Sequence, residues 1–270
     1  MKQKPKLGQN FLVDDAARYA IVDALGDLSK RTVIEIGPGH GSITEILATR
    51  CHKLIALELD PSLAAGLTFH FRGHANVQIV AADVLKTDFQ ALVAEEETAD
   101  VIGNLPYYIT SDILLHLFKA STTGILSRAV LMMQREVAER ISATPGVRDY
   151  GLLSATAQMN AQVENLFTLP PSAFSPPPEV YSSVLRLHFA PRFGELNVDP
   201  AGFDMFLRKC FAQKRKTLWN NLRAAGHPTE QLAAAWPSSI PALARGESLT
   251  LEQMAELYRT LSTTPGEKNR

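Results

Sequence analysis

The stretch EIGPGHGS, residues 35–42, decides how the first part of the chain folds. It continues an apolar run that begins at Thr32, and it carries three closely spaced glycines, Gly37, Gly39 and Gly41. Glycine permits a tight turn and lets a ligand approach the backbone closely. A buried strand that enters a glycine turn and then a helix-length segment predicts an α/β domain with a ligand site at the end of that strand.

Short apolar segments alternate with helix-length segments through the first two thirds of the chain. The strand-like segments are 32–37, 53–59, 77–83, 100–104 and 129–134, and the helix-like segments between or after them are 42–50, 61–71, 110–120 and 135–143. This alternation predicts an α/β fold with a mostly parallel sheet and helices on both faces. The alternating pattern of 180–189 predicts an antiparallel strand at the end of that sheet.

A segment rich in proline and glycine, residues 189–202, interrupts this pattern. The segments after it, 203–226 and 249–262, have helical composition. We therefore expect a catalytic domain over residues 1–190, including an N-terminal arm, and a small helical domain over 191–270 that ends in a short flexible tail.

Composition narrows the class of protein. The chain is 46% hydrophobic, which is normal for a globular protein, and it has no apolar run near the ~20 residues of a membrane span. The basic N-terminus lacks the apolar core of a secretory signal, and two cysteines, Cys51 and Cys210, cannot build a disulfide framework. We expect a cytoplasmic protein. His70 and His74 lie outside any HExxH motif, so no metal site is expected.

Positive charge is concentrated in one part of an otherwise balanced chain. The formal net charge is −1, but residues 191–270 carry 11 Lys and Arg against 8 Asp and Glu. Six bases without an acid lie between Asp204 and Glu230: Arg208, Lys209, Lys214, Arg215, Lys216 and Arg223. We expect this patch to bind RNA, although a solvated helix face is the alternative.

Polar side chains stand at the ends of the next three predicted strands. Glu58, Asp83 and Asn104 follow the glycine turn in that order. Because ligands bind beyond the carboxyl ends of strands in open α/β sheets, these side chains are expected to border one cleft. Glu58 is positioned to accept hydrogen bonds from two ribose hydroxyls, which suits either NAD or S-adenosylmethionine.

Two details favour S-adenosylmethionine. A dinucleotide fingerprint requires G-x-G-x-x-G, and Ser42 occupies its last position. Asp83 can accept from an adenine amino group, and the acids Glu35, Glu58 and Asp83 suit a cationic sulfonium. Each acid alone is equally well a polar strand terminus, but the ordered set with the glycine turn and Asn104 is a specific signal.

Several motifs together resemble a known family. EIGPGHGSIT (35–44), ELD (58–60), AADVL (81–85) and GNLPYYIT (103–110) resemble S-adenosylmethionine-dependent methyltransferases that act on exocyclic amines. KLGQNFL (6–12), LPPSAFSPPPEVYSSVLRL (169–187) and FAQKRKTLWNNL (211–222) further resemble the bacterial small-subunit rRNA adenine dimethyltransferases, the kasugamycin-sensitivity family. The resemblance covers about residues 5–260.

This resemblance implies a Rossmann-like methyltransferase domain followed by a small helical domain. The implied reaction is transfer of methyl groups to N6 of two adjacent adenosines in the 3′-terminal hairpin loop of 16S rRNA, within an immature small ribosomal subunit, by a monomeric enzyme. The cofactor residues expected from the motifs are Asn10, Leu12, Gly37, Gly39, Gly41, Glu58, Asp83 and Asn104. The resemblance also implies that Phe174 closes one face of the target base.

The chemistry of the amine gives the motif NLPY a physical reason. The lone pair of adenine N6 is delocalised into the ring, so the amine is a poor nucleophile. The side-chain oxygen of Asn104 and the carbonyl of Leu105 can accept its two N–H groups, while Pro106 fixes the turn. Tyr107 can stack on the base, a contact worth ~1–3 kcal/mol. A strand-terminating turn with core tyrosines is the plainer interpretation, and Tyr108 is expected to be a packing residue.

Three other functions remain as alternatives. A large-subunit rRNA methyltransferase that confers macrolide resistance shares the catalytic half, but the motifs at 169–187 and 211–222 favour the small-subunit family. A ribosome-assembly or transcription factor that only retains the fold is disfavoured, because such a protein would not need the glycine turn, Glu58, Asp83 and the NLPY motif to be intact. A nicotinamide dehydrogenase is disfavoured by Ser42. A hydrolase nucleophile elbow, G-x-S-x-G, is absent from the sequence.

Overall fold

The computed structural model describes residues 10–93 and 97–263. Within these ranges the strands are β1 (Phe11–Leu12), β2 (Thr32–Ile36), β3 (Lys53–Glu58), β4 (Val77–Ala81), β5 (Ala99–Asn104), β6 (Leu126–Gln134), β7 (Ala161–Leu169), β8 (Phe174–Ser175) and β9 (Ser182–Phe189). The α-helices are α1 (Asp15–Asp23), α2 (Thr44–Ala48), α3 (Pro61–His70), α4 (Phe89–Leu92), α5 (Thr110–Ser121), α6 (Arg135–Ser142), α7 (Leu152–Asn160), α8 (Pro200–Cys210), α9 (Leu218–Ala224), α10 (Thr229–Ala235) and α11 (Leu251–Thr263). The tail expected at 263–270 lies outside the described residues from position 264 onward.

The chain folds as two compact units. The first comprises residues up to 138 together with 161–189, and the second comprises 139–160 together with the residues from 190 onward. The sequence predicts a division at residue 190, and the excursion of 139–160 into the second unit has no counterpart in that prediction. Tyr150 and Met159 explain it, because both are buried in the hydrophobic core of the second unit.

A mixed sheet forms the first unit and confirms the predicted mostly parallel α/β fold. Within the described residues, seven strands follow the order β4-β3-β2-β5-β6-β9-β7. Strands β2 to β6 pair in parallel, and β9 pairs antiparallel with both β6 and β7. The chain runs outward from β2 to β4 and returns to β5 on the other side of β2, which creates a crevice at the carboxyl ends of β2 and β5.

The central strands are apolar because helices cover both faces of the sheet. All five residues of β2 are buried, and so are the first five of β5. Asp100, near the amino end of β5 and thus away from the carboxyl ends of the strands, is a buried charge within this apolar sheet. Asp100 is fully buried and accepts paired hydrogen bonds from Arg31, just before β2, and from Arg128 in β6. Charge-assisted bidentate pairs of this kind fix the register of neighbouring strands.

Strand β7 is absent from the sequence prediction. Its register against β9 shifts between Asn165 and Phe167, and only Ala161 is fully buried. A bulged strand at the edge of a sheet loses the strict alternation that identifies strands in a sequence. The expected strand at 180–189 is confirmed as β9, antiparallel.

The second unit is helical, as expected, but the helix-like segment 203–226 forms two helices separated by a loop. Helix α8 ends at Cys210, and α9 begins at Leu218 after a loop. Side chains stabilise the break: the Asn221 amide donates to the carbonyls of Cys210 and Gln213, and Thr217 caps the N-terminus of α9. Such caps satisfy carbonyl and N–H groups that a helix end leaves unpaired. None of the helices in the described ranges combines the length and the apolar character needed to cross a bilayer.

Candidate active site

A cavity opens at the carboxyl ends of the parallel strands. Its lining includes Gly37 and Gly39 after β2, Glu58 at the end of β3, Asp83 after β4, and the segment 104–109 that follows β5. Asn10, directly before β1, and Phe11, its first residue, line the cavity as well. The structure therefore brings together the glycine turn, the two carboxylates and the NLPY motif that the sequence predicts at one cleft.

The glycine turn requires glycine at three positions for different reasons. Gly37, Gly39 and Gly41 have φ of 68°, 59° and 89°, a region that side chains disfavour. A Cβ at Gly39 would lie 2.8 Å from the ring of Phe11. A Cβ at Gly41 would lie 2.9 Å from Leu67 of α3, and Gly41 is not a lining residue of the cavity. Gly41 thus permits helix packing, whereas Gly37 and Gly39 present backbone to the cavity.

Glu58 is buried and held in place by backbone donors. Its Oε2 accepts from the Gly39 N–H at 3.0 Å, and its Oε1 accepts from the Asp60 N–H at 2.9 Å. The carboxylate therefore ties the end of β3 to the glycine turn. Because each carboxylate oxygen has two acceptor sites, both oxygens can still accept a hydroxyl donor from a ligand.

Asp83 is oriented in a similar way at the next strand. Its Oδ1 accepts from the Leu85 N–H at 3.0 Å and caps the short 3-10 helix Val84–Lys86. Its Oδ2 lies 3.9 Å from the Lys86 Nζ. The side chain is 30% exposed, so the remaining acceptor capacity is accessible.

The amide of Asn104 has a defined orientation. Its Nδ2 donates to the Asn10 carbonyl at 2.8 Å, so the N-terminal arm occupies the donor side of this amide. No hydrogen bond to Oδ1, or to the Leu105 carbonyl, is formed within the described residues. The Leu105 N–H donates to Met132 of β6 at 2.9 Å, which anchors the turn to the sheet. Asn104 and Leu105 both line the cavity, and each has an oxygen that accepts no hydrogen bond from a described residue.

The tyrosine of the motif is fixed by a hydrogen bond across the sheet. Tyr107 shares a 2.5 Å hydrogen bond between its hydroxyl and the Ser182 Oγ at the start of β9. Burial raises the pKa of Tyr107 above its usual value, which the Ser182 contact only partly offsets. The hydroxyl is therefore protonated at neutral pH and acts as an anchor for the ring. The Pro106 carbonyl accepts hydrogen bonds from the Ile109 N–H and from the Thr110 hydroxyl, and these bonds close the turn that leads into α5.

The expectation that Tyr108 is a packing residue is wrong. Its side chain is 58% exposed, and it lines the cavity. Tyr108 precedes the first turn of α5, where the chain leaves the sheet, so its side chain has no core to enter.

Leu12 and Phe174 do not reach the cavity in this structure. The two residues pair across the small ladder of β1 and β8, and each is 3% exposed within the core of the first unit. The Leu12 carbonyl is held by the Arg18 guanidinium at 3.0 and 3.2 Å. The expected contacts of Leu12 with the cofactor and of Phe174 with the base therefore remain predictions.

A second buried carboxyl lies behind the glycine turn. Glu35 is 2% exposed, and its Oε2 accepts from Thr44 Oγ1 at 2.7 Å. Burial raises the pKa of Glu35 to about 7, the Thr44 hydrogen bond opposes that shift, and the charge of Glu58 adds to it. The sequence predicts Glu35 near the cleft, but it is not a lining residue of the cavity.

Three contributors to the site were not singled out in the sequence. Phe11 packs against the turn, with its ring centroid 4.3 Å from that of His40, and it borders the cavity. Ser182 anchors Tyr107, and Arg18 holds the N-terminal strand. Phe11 and Ser182 both lie within motifs that resemble the family, but pairing across such sequence separations cannot be inferred from one chain.

The predicted RNA-binding residues belong to the second unit and differ in their surroundings. Arg208 pairs with Asp204 at 2.9 Å, and Lys214 donates to the Arg148 carbonyl. Arg215 and Lys216 are exposed in the loop between α8 and α9, and neither forms an ion pair with any described residue. Arg223 is also exposed, and Lys209 is half-buried. The patch is therefore a loop with flanking helix residues, and its strongest candidates are Arg215 and Lys216.

The fold and the cleft together define a class of protein. A mostly parallel sheet, a G-x-G-x-G turn, strand-end carboxylates and an NLPY turn are the features of an S-adenosylmethionine-dependent methyltransferase. Solved structures have the same fold. A dimethyladenosine transferase from Plasmodium falciparum superposes with a TM-score of 0.75 at 24% identity, covering 92% of this chain and 95% of its own. The 23S rRNA methyltransferase ErmE superposes with a TM-score of 0.67 at 25% identity, and the match covers 94% of this chain and 100% of the ErmE chain.

Comparison of sequences identifies the family. The family described as ribosomal RNA adenine dimethylase matches residues 1–263. The ribosomal RNA small subunit methyltransferase A of Acidobacterium capsulatum is 57% identical over 261 residues, covering 96% of this chain and 92% of the relative. The protein of the same name from Koribacter versatilis is 48% identical over 271 residues, covering 96% and 94%. The chain belongs to the ribosomal RNA adenine dimethylase family, which confirms the resemblance seen in the sequence.

Proposed function

We propose that the protein transfers methyl groups from S-adenosylmethionine to N6 of two adjacent adenosines in the 3′-terminal hairpin loop of 16S rRNA. The substrate is an immature small ribosomal subunit, and the enzyme acts as a monomer. The observation that carries this proposal is the pair of acceptors at the cavity, Asn104 Oδ1 and the Leu105 carbonyl, beside a cleft with the carboxylates of a nucleoside site. The names of relatives at 57% and 48% identity support the small subunit as the substrate.

The cleft residues fit S-adenosylmethionine. Gly37 and Gly39 both line the cavity without a side chain, so a ligand there can approach their backbone. Glu58 is the acceptor for ribose hydroxyls, and Asp83 is the acceptor for the adenine amino group. The bound cofactor supplies an electrophilic methyl group on a sulfonium, which an amine nitrogen can attack.

The chain contributes mainly by positioning the amine. Asn104 Oδ1 and the Leu105 carbonyl each accept one N–H of adenine N6, which draws the nitrogen out of conjugation and directs its lone pair. Tyr107 holds the base by stacking, with its hydroxyl fixed by Ser182. Proper orientation alone lowers a barrier substantially, because it removes the entropy cost of bringing the reactants together.

No strong base is needed for proton removal. The nitrogen becomes acidic as its new bond to carbon forms, so neutral oxygen acceptors suffice to release the proton toward water. For the second methyl addition, one N–H remains, and one of the two acceptors can hold it. Asn104 and Leu105 can therefore serve both steps from the same position.

The experiment offers labelled S-adenosylmethionine with either small or large ribosomal subunits from cells that lack the modification. We expect label in the small-subunit RNA. Incorporation only into large-subunit RNA would contradict the proposal and favour the macrolide-resistance alternative. Binding to particles without any incorporation would favour an assembly factor that retains the fold.

A further inference from the structure

Two further tyrosines are exposed, one next to Tyr107 in the chain and one next to its hydrogen-bond partner Ser182. Tyr108 follows it in the chain, is 58% exposed and lines the cavity. Its ring has no aromatic contact and no hydrogen bond with any residue that the structure describes. A large aromatic side chain left exposed at the mouth of a cavity is a candidate contact surface for a ligand.

Tyr181 comes from a distant part of the chain, directly before β9. Tyr181 directly precedes Ser182, and the Ser182 Oγ forms a 2.5 Å hydrogen bond with the Tyr107 hydroxyl. Consecutive Cα atoms are ~3.8 Å apart, so the backbone of Tyr181 stands next to the anchor of the proposed base-stacking tyrosine. Its side chain is 48% exposed.

Arg135 adds a positive charge beside Tyr181. Its guanidinium carbon lies 5.3 Å from the centroid of the Tyr181 ring, and its N–H donates to the Tyr181 carbonyl at 3.0 Å. The backbone bond holds the first residue of α6 to the start of β9. An arginine against an aromatic ring combines a stacking surface with a cation that attracts phosphate, which is the composition of surfaces that bind single-stranded nucleic acid.

We propose that Tyr108 and Tyr181, with Arg135, hold the nucleotides on either side of the target adenosine while Tyr107 holds the target base. This inference rests on the proposed function, since it takes single-stranded rRNA as the ligand. Tyr107, Tyr108 and Tyr181 would then contact successive nucleotides of one strand, and we call this set of three residues the tyrosine track. Because the proposed targets are adjacent, one flanking nucleotide is the other target adenosine, and the track keeps it close while the first is methylated.

The test measures methyl transfer to unmethylated small subunits by wild type and by the variants Tyr108→Ala, Tyr181→Ala and Tyr181→Phe. One stacking contact contributes ~1–3 kcal/mol to binding, so each Ala variant should raise the KM for the small subunit about tenfold. The kcat and the affinity for S-adenosylmethionine should stay near wild type. Tyr181→Phe keeps the ring face and should remain near wild type throughout.

A matched control exists elsewhere on the same unit. Phe69, on α3, is 69% exposed and carries Arg72 with its guanidinium carbon 4.1 Å from the ring centroid. Because α3 starts beyond β3 and runs back across the sheet, this pair is remote from the carboxyl ends of the strands. Phe69→Ala should leave the KM for the particle unchanged.

The outcomes separate this inference from the proposed function. Normal methylation by wild type together with wild-type KM in Tyr108→Ala or Tyr181→Ala would overturn the track and leave the proposed function standing. Weaker S-adenosylmethionine binding by Tyr108→Ala, without a change in the KM for the particle, would overturn the track by assigning Tyr108 to the cofactor. No methylation of particles by wild type would overturn both.

Discussion

At the scale of single residues, the orientation of one amide distinguishes this site from a generic cofactor cleft. Asn104 donates from Nδ2 to the Asn10 carbonyl, and this bond leaves Oδ1 as an acceptor toward the cavity. A reversed amide would present a donor to the N–H groups of the target amine. The N-terminal strand therefore contributes to the proposed chemistry by fixing which atom of Asn104 the substrate meets.

Asn104→Ala should separate binding from chemistry. The variant loses one of two acceptors for the amine, and removal of a single positioned hydrogen-bonding group from an active site typically lowers kcat ~100-fold or more. Single-turnover transfer to small subunits measures this effect, with calorimetry of cofactor binding as the control. A folded variant that transfers methyl groups within tenfold of wild type would remove Asn104 from the mechanism.

Glu58→Ala should weaken cofactor binding. The substitution removes the proposed acceptor for ribose hydroxyls, and it also releases the N–H groups of Gly39 and Asp60. An unpaired buried polar group costs ~1–3 kcal/mol, so affinity in calorimetry should drop about tenfold or more. Glu45→Ala, which removes an exposed acid from α2, is the charge-matched control. Equal affinities of the two variants would contradict the assignment of the cleft.

Glu35 makes stability depend on pH in a predictable direction. Burial raises its pKa from 4.5 to about 7. Between these values the folded protein keeps a proton that the unfolded chain has released, so this group lowers the free energy of unfolding as the pH rises from about 4.5 to 7. The total is at most roughly 3 to 4 kcal/mol, since one pKa unit corresponds to ~1.4 kcal/mol.

Glu35→Gln should flatten this dependence because glutamine does not titrate. Urea unfolding at pH 5 and at pH 7.5 measures the difference, and the wild type should lose more stability than the variant across this interval. An equal loss in both proteins would show that the Glu35 carboxyl does not titrate in this window.

At the scale of elements, the strand–turn segments of the parallel sheet could be predicted from the sequence, since buried strands appear as short apolar runs that end in polar or glycine residues. The predicted strands around Glu35, Glu58, Asp83 and Asn104 are confirmed, because in each case the polar residue lies at or near a strand end. What could not be predicted depends on pairing between distant segments. The β1–β8 ladder is two residues long, and it carries no pattern of its own.

The same limit explains the loop between α8 and α9. Its residues have good helix propensity, and a single-sequence prediction extends the helix through them. The Asn221 amide ends α8 by binding the Cys210 and Gln213 carbonyls, a tertiary contact that local propensity does not contain. The break turns part of the expected basic helix face into an exposed basic loop.

This loop should bind rRNA through Arg215 and Lys216. Each phosphate contact changes the logarithm of affinity by ~0.7–0.9 per tenfold change in salt. Replacing both residues with Ala should weaken binding to small subunits and flatten the salt slope by up to about 2, while cofactor affinity is unchanged. Arg208→Ala should change the affinity and the salt slope less than the double variant does, because Asp204 already pairs with the Arg208 guanidinium. Wild-type affinity and slope in the double variant would exclude the loop from the RNA interface.

At the scale of the whole molecule, the proposed catalytic residues and the proposed RNA-binding loop belong to different units. The first contains the cleft and the tyrosines, and the second contains the basic loop. The division was not expected from the sequence, because the chain leaves the first unit after residue 138 and returns to it at 161, where β7 begins. The sequence does not show that residues 139–160 belong to the second unit, because Tyr150 and Met159 could be buried in the core of either unit.

The central claim is dimethylation of adenine N6 at two adjacent nucleotides of small-subunit rRNA. Its most direct test is mass spectrometry of 16S rRNA after incubation of unmethylated small subunits with the protein and S-adenosylmethionine, with Asn104→Ala in parallel. The account predicts N6,N6-dimethyladenosine at two adjacent positions of the 3′-terminal hairpin loop with wild type, and almost none with the variant. Methyl groups on another base, on another atom of adenine or in another RNA would contradict it.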